Sequence, residues 1–207
     1  MDITIVDHPL AARLLTRLRD ETTDRAGFRQ SLDELASMLV YEACRTVATE
    51  PVEVQTPLGS APGVRIAQPP LVVPVLRAGL GLLGAVLQLM PETDTGFVGV
   101  ARDEETFVPR PYMNSVPPDL AGRPVMVLDP MVATGGSLTY ACELLRARGA
   151  GPMTAVCVLA APEGLQHVAG SGLVERLITA AVDDHLNEQA FIVPGLGDAG
   201  DRLFGTA

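Results

Sequence analysis

Apolar residues recur at helical spacing from Phe28 to Val47, through Leu32, Leu35, Leu39 and Ala43, while Arg29, Asp33, Glu34 and Arg45 supply a wetter face. This pattern predicts an amphipathic helix. In the next stretch, 51–70, the apolar alternation is broken and turn formers stand at Pro57, Gly59, Pro62 and Gly63. That composition suits a hairpin or protruding arm, with an ordinary surface loop as the competing reading. Beyond it come short apolar runs rich in β-branched residues: Leu71–Leu76, Phe97–Ala101, Val125–Leu128, Thr154–Ala161 and Leu177–Val182. Runs of this length and composition suit strands buried on both faces. Helical segments fall between them at Gly79–Met90 and Ser137–Arg148. Alternating strands and helices imply an α/β fold, a mainly parallel central sheet flanked by helices with right-handed crossovers. In such sheets ligands bind beyond the carboxyl ends of the strands, so the loops that follow strands hold the chemistry.

Composition narrows the partners. The chain has 207 residues, 47% of them hydrophobic, which fits one compact domain over 1–207 with a substantial core. Its formal charge of −10 argues against a broad nucleic-acid footprint, because phosphate backbones repel an acidic surface. Small anions remain eligible at a locally basic site. No secretory leader pattern and no run near the ~20 apolar residues of a membrane span is visible, so a soluble, cytoplasmic protein is expected. Cys44, Cys142 and Cys157 are odd in number and sit in apolar periodic segments, the pattern of buried small hydrophobes. The absence of Trp and the 4% aromatic content leave little material for stacking nucleic-acid bases. His8, His167 and His185 have no metal-ligand spacing and read as structural or solvent residues; no protein metal ligand is expected.

The most informative stretch runs from Val125 to Ser137: a hydrophobic strand, Asp129, a turn through Pro130, Met131, Val132, Ala133 and Thr134, then Gly135, Gly136 and Ser137 opening a helix. The glycines let the backbone approach an anion, and helix-start N–H groups with the Thr134 and Ser137 hydroxyls can donate to phosphate. No Lys follows the glycines, as an ATP-binding loop requires, and they are adjacent rather than spaced as in a dinucleotide-binding loop. On local chemistry alone a structural turn fits as well as a phosphate site. The wording nevertheless resembles the phosphoribosyl pyrophosphate (PRPP) motif of type I phosphoribosyltransferases, and Asp129 through Ser137 is similar to its uracil-specific branch. Many members of the wider superfamily carry two acidic residues before this loop, whereas Leu128 takes the earlier place here, a departure the uracil branch shares. The resemblance implies that the whole stretch from Asp129 through Pro130, Met131 and Val132 to Ser137 binds PRPP, with Ala133–Ser137 holding the 5′-phosphate and Asp129 the ribose hydroxyls.

Two further segments extend the resemblance. Val75-Leu76-Arg77-Ala78-Gly79-Leu80-Gly81 ends an apolar strand with an Arg and two glycines. Locally this reads as a strand-to-helix turn with a solvent-facing Arg; the resemblance makes Arg77 a PRPP ligand and implies a non-proline cis peptide near Leu76-Arg77. Arg102, in the charged run Arg102–Glu105, reads locally as part of a solvated loop; the resemblance makes it a pyrophosphate ligand, a task suited to its bidentate fork. Near the end, Phe191 to Arg202 is locally only a tight loop. In the family it belongs to a hood, 183–207, that encloses the base, so backbone groups at Ile192, Gly197 and Ala199 would read the edge of uracil. Asp198 resembles a residue near PRPP and the base, and joins Asp129 and Arg102 as a candidate catalytic residue. The resemblance spans His8 to Gly205. Departures stand at Gly84, His185 and Phe191, where relatives commonly have Asp, Gly and Tyr.

The resemblance implies transfer of the phosphoribosyl group from PRPP to uracil, giving UMP and diphosphate, with Mg²⁺ bound mainly through PRPP. It also implies a homodimer or higher homo-oligomer, and leaves GTP as a candidate effector. Two other readings compete: a nucleotide-sensing regulator of RNA on the same fold, which the acidic balance disfavours, and a dinucleotide-dependent oxidoreductase, which the glycine spacing disfavours.

Overall fold

The computed structural model describes residues 1–102 and 109–205. It opens with β1 (Asp2–Ile5), α1 (Pro9–Arg19) and α2 (Arg25–Ala43), followed by the strands β2 (Thr49–Thr56) and β3 (Gly59–Ile66). β4 (Leu71–Leu76), α3 (Leu80–Leu89), β5 (Val98–Arg102) and β6 (Pro109–Asn114) come next. Then follow β7 (Val125–Leu128), β8 (Met131–Val132), α4 (Gly136–Ala147), β9 (Met153–Val156), β10 (Leu159–Ala160) and α5 (Pro162–Ser171). β11 (Arg176–Thr179), β12 (Ala181–Val182), β13 (His185–Leu186), β14 (Ile192–Val193) and α6 (Ala199–Phe204) complete the order. Among the described residues, no helix is long and apolar enough to cross a membrane.

The main sheet has the order β1-β11-β9-β7-β4-β5-β6, parallel except for the antiparallel β5–β6 edge. Side-chain alternation sorts its strands between two cores. Val72, Met126, Leu128, Val156 and Ile178 face a core shared with α1, α2, α3 and α6. Val73, Val127, Ala155 and Leu177 face a second core with Leu138, Ala141 and Leu145 of α4 and Leu165 and Val168 of α5. The sheet is therefore covered on both sides, which is why its strands read as continuous apolar runs.

Caps explain where the first helices begin. The His8 Nδ1 accepts from the Leu10 N–H at 3.2 Å ahead of Pro9, and the Asp24 carboxylate accepts from the Gly27 N–H at 2.8 Å. β2 and β3 pair with each other from Thr49↔Ile66 to Thr56↔Gly59, a long hairpin that begins two residues before the 51–70 stretch and ends at Ile66.

Two runs that read as single strands are each divided. Thr154–Ala161 becomes β9 in the main sheet and β10 in a small parallel sheet ordered β12-β10-β8; Leu177–Val182 likewise becomes β11 and β12. The breaks leave backbone carbonyls to satisfy, and the buried Thr179 hydroxyl lies 3.1 Å from the Val158 carbonyl and 3.0 Å from that of Ala181. The second pieces are as apolar as the first, β10 buried and β12 half-buried, so composition alone does not reveal a change of sheet.

Candidate functional site

Chain order reverses in space between β4 and β7. From β4 the chain passes to β5 on one side; from β7 it passes to β9 on the other. The loops leaving the carboxyl ends of β4 and β7 diverge and open a crevice, the place where open α/β sheets bind ligands. A cavity of about 670 Å³ lies there, lined by the Val75–Ala78 turn, by Asp129, Met131 and Ala133–Leu138, and by Glu188–Ile192 and Gly197–Ala199. Three segments far apart in sequence thus share one space, large enough for a small-molecule ligand.

Close backbone approach makes the first junction. A Cβ on Gly79 would lie 2.4 Å from the Leu128 carbonyl oxygen, so only glycine lets the turn after β4 press on the end of β7. The peptide Leu76-Arg77 is cis, as the resemblance implies. Arg77 stays half exposed, with Nη2 3.9 Å from an Asp201 carboxylate oxygen, at the outer limit of an ion pair.

The loop after β7 is fastened from behind. The Val158 and Leu159 N–H groups donate to the Pro130 carbonyl at 2.8 and 3.1 Å, and the Ala161 N–H donates to the Val132 carbonyl at 2.9 Å. Pro130 and Val132 are buried and do not line the cavity; they anchor the loop to β10, while Asp129, Met131 and Ala133–Ser137 face the opening. Gly135 adopts φ 80° immediately before α4, a left-handed conformation that favours glycine. The first N–H groups of α4 therefore begin at the cavity, where a helix N-terminus favours an anion.

Gly164, in the first turn of α5, was not singled out by sequence. A Cβ there would meet the Ala133 carbonyl oxygen at 2.3 Å, so its smallness lets α5 support the loop. Nothing in its local pattern distinguishes it from any helical glycine.

The third wall comes from β13, β14 and α6. Asn187 Oδ1 accepts from the N–H groups of Gln189 (3.0 Å) and Phe191 (2.9 Å), shaping a tight turn in which Ala190 takes φ 60°. Glu188, Gln189 and Ala190 are cavity residues that sequence reasoning missed; an Asn two residues before Gln189 is the turn signal that was available. Val193-Pro194 is cis, and Gly195 and Gly197 have φ 66° and 80°. Ile192, Gly197, Asp198 and Ala199 all reach the cavity. Asp198 also caps α6, its Oδ1 accepting from the Asp201 N–H at 2.9 Å.

Of the expected site residues, Arg77, Asp129, Met131, Ala133–Ser137, Ile192 and Gly197–Ala199 come together. The Arg102 backbone closes β5, while its side chain and residues 103–108 lie outside the described residues. Cys142 and Cys157 are buried on the α4 side of the sheet, and burial pushes both thiols up to about 12, so they pack as apolar side chains rather than act as nucleophiles. His8 is a helix cap and His167 and His185 are exposed; among the described residues no group of three or more His, Cys, Asp or Glu is arranged to hold a metal.

A family model described as uracil phosphoribosyltransferase matches residues 5–206. A uracil phosphoribosyltransferase of Corynebacterium efficiens is 53% identical over 205 residues, covering 99% of this chain and 97% of the relative. The solved AQ2163 protein of Aquifex aeolicus is 38% identical, with TM-score 0.92 and 99% of each chain covered. An adenine phosphoribosyltransferase from Thermoanaerobacter pseudethanolicus shares the fold at TM-score 0.51, with 10% identity, 74% of this chain and 81% of that one covered. On the extent of the family match and the full-length identity, the chain belongs to the uracil phosphoribosyltransferase family.

Proposed function

We propose that the cavity joins uracil to PRPP, forming UMP and diphosphate in pyrimidine salvage. The observation that carries this reading is the meeting of three segments in one crevice: an Arg-bearing turn, a helix N-terminus preceded by Asp129, and a glycine-rich backbone wall. In the reaction the bond between uracil N1 and ribose C1 forms as the bond from C1 to diphosphate breaks, and N1 loses its proton. Positive charge develops on the sugar while negative charge leaves on diphosphate, so the protein's work is positioning and electrostatics.

The loop Ala133–Ser137 suits the 5′-phosphate, offering backbone N–H groups and the Thr134 and Ser137 hydroxyls. Asp129 suits the ribose hydroxyls, with two carboxylate oxygens as acceptors beside the developing cation. Arg77, with Arg102, suits the diphosphate, which their planar forks recognise in bidentate fashion. Backbone groups at Ile192, Gly197 and Ala199 suit the donor and acceptor edge of uracil. Cytosine presents the reverse pattern, and each mismatched buried polar group costs about 1–3 kcal/mol. Asp198, already fixed as a helix cap, suits a place beside the ribose and base.

Phosphoribosyltransferases generally use Mg²⁺ with PRPP. The cavity carboxylates Asp129 and Asp198 fit a hard cation that keeps most of its coordination from water and PRPP oxygens, and such an ion would neutralise charge on the leaving diphosphate. The hairpin of β2 and β3 leaves Val54, Leu58 and Val64 exposed, which supports a second copy of the chain covering it. GTP remains a candidate effector of this enzyme.

The test is direct. Folded protein supplied with uracil, PRPP and Mg²⁺ is expected to release UMP and diphosphate, and to leave cytosine, guanine and hypoxanthine unused. UMP production from uracil no faster than in protein-free controls rejects the activity; comparable turnover of cytosine rejects the backbone reading of the base.

A further inference from the structure

Outside the cavity, the strongest polar cluster lies behind the base wall. Asp183 has a side chain only 4% exposed and receives both ends of the Arg19 guanidinium, Nη1 at 2.7 Å and Nη2 at 2.5 Å. The pair also grips one residue of the wall by both backbone groups. Arg19 Nη1 donates to the Gly195 carbonyl at 2.8 Å, and the Gly195 N–H donates to Asp183 Oδ2 at 2.8 Å. At Gly195 the chain folds back tightly, since a Cβ there would fall 2.1 Å from the Ile192 carbonyl oxygen. Ile192 lies three residues before this point and Gly197 two after it, and both line the cavity.

Asp183 has a second attachment. Its N–H donates to the Ala160 carbonyl at 2.9 Å, at the end of β10, and β10 pairs with β8 through Leu159↔Met131 and Ala160↔Val132. The carboxylate that holds the base turn is therefore tied to the same small sheet that backs the loop of Asp129–Ser137. Neither Arg19 nor Asp183 lines the cavity. Buried ion pairs contribute little net stability compared with apolar packing of the same volume, but a bidentate pair fixes geometry closely.

We propose that Arg19 and Asp183 are positioning residues for base recognition, a clamp that sets the Ile192–Gly197 turn at the height uracil requires. This rests on the reading of Ile192, Gly197 and Ala199 as the uracil wall. The clamp acts on Gly195 alone, and the phosphate loop has its own backbone anchors to β10. Weakening the clamp therefore shifts uracil recognition and spares PRPP.

The experiment compares Asp183→Asn and Arg19→Lys with the unmodified chain, varying uracil at saturating PRPP and PRPP at saturating uracil, with thermal unfolding measured alongside. Asp183→Asn replaces an oxygen acceptor by an amide donor facing other donors and is expected to raise the uracil KM about tenfold, the equivalent of one lost charge-assisted hydrogen bond. The PRPP KM and kcat are expected to stay within about twofold, and preference over cytosine to fall. Arg19→Lys keeps the charge but loses the fork, so its uracil KM should rise less; it carries the test if Asp183→Asn does not fold. A lowered melting temperature with an unchanged uracil KM, or equal increases in both KM values, overturns the clamp. Gly197→Ala, which alters the wall itself at φ 80°, separates the two readings. If it raises the uracil KM and the clamp variants do not, only the clamp fails; if it leaves uracil KM unchanged, the base wall and the clamp that depends on it both fail.

Discussion

The phosphate-side loop and the base wall face each other across one cavity, yet they are held in place by different means. The loop from Asp129 to Ser137 continues a strand, opens a helix and is fastened by main-chain bonds from its neighbour β10. The base wall belongs to no large sheet and hangs from remote arginine side chains. Arg19 holds Gly195, and Arg202 donates to the Leu18, Leu196, Asp20 and Thr23 carbonyls while its guanidinium lies 4.3 Å from the Phe28 ring centroid. Main-chain anchoring ties the first region to the core; side-chain anchoring makes the second adjustable by single substitutions far from the ligand.

The sharpest way to break this contrast is at Asp129. Asp129→Asn keeps the shape of the loop but removes charge opposite the developing sugar cation, so turnover should fall on the order of 100-fold while uracil preference persists. Steady-state kinetics on folded protein checks this; weaker PRPP binding with unchanged turnover would assign Asp129 to ground-state binding alone.

Gly135→Ala attacks the anchoring of the same loop. A Cβ at φ 80° would also sit 2.8 Å from the Gly164 carbonyl, so the variant should lose about 2–3 kcal/mol of stability and raise the PRPP KM more than the uracil KM. Urea unfolding with parallel kinetics distinguishes this from a local effect on uracil.

Arg202→Ala tests the other side. Several carbonyls lose a charged donor and the Phe28 ring loses its covering cation, which should cost about 2 kcal/mol in denaturant unfolding and affect uracil saturation before PRPP saturation. Equal effects on both substrates would erase the distinction between the regions.

The smallest expected effect is that of acid. Burial alone would raise the Asp183 pKa, but hydrogen bonds from Arg19 and Gly195 outweigh it and hold the carboxyl below the usual aspartate range. A depressed native pKa contributes stability above the unfolded value of about 3.9, lost as pH falls through the native value. Acid unfolding of Asp183→Asn should therefore show a shallower loss below about pH 4 than that of the unmodified chain. Superimposable acid curves would remove Asp183 from that linkage.

The same contrast decides what could be read from sequence. The runs Leu71–Leu76 and Val125–Leu128 form strands over those same residues because apolar residues buried on both faces leave a local signal. The loop after β7 carried its glycines, hydroxyls and carboxylate in one short stretch that marked it as a candidate site, and the structure brings most of that stretch to the cavity; local chemistry fitted a structural turn equally well and gave no sign of the inward turn of Pro130 and Val132. The wall from Ile192 to Ala199 was singled out only through family resemblance, because its supports stand at Arg19 and in the Leu18–Thr23 corner. These are 164 to 184 positions from their partners in Asp183 and Arg202, so no local window contains both. The passage of β9 into β10 was hidden for a related reason: a change of sheet alters hydrogen-bond partners without altering hydrophobicity.

The tie between Arg202 and the corner after α1 also orders events during synthesis. Arg202 follows Leu18 by 184 positions, so the ribosome releases the receiving corner long before the donor exists. At roughly 5–20 residues per second, the corner after α1 waits on the order of ten seconds or more before Arg202 is made. The fastening of this wall is thus a late event, made only when α6 reaches back to the end of α1.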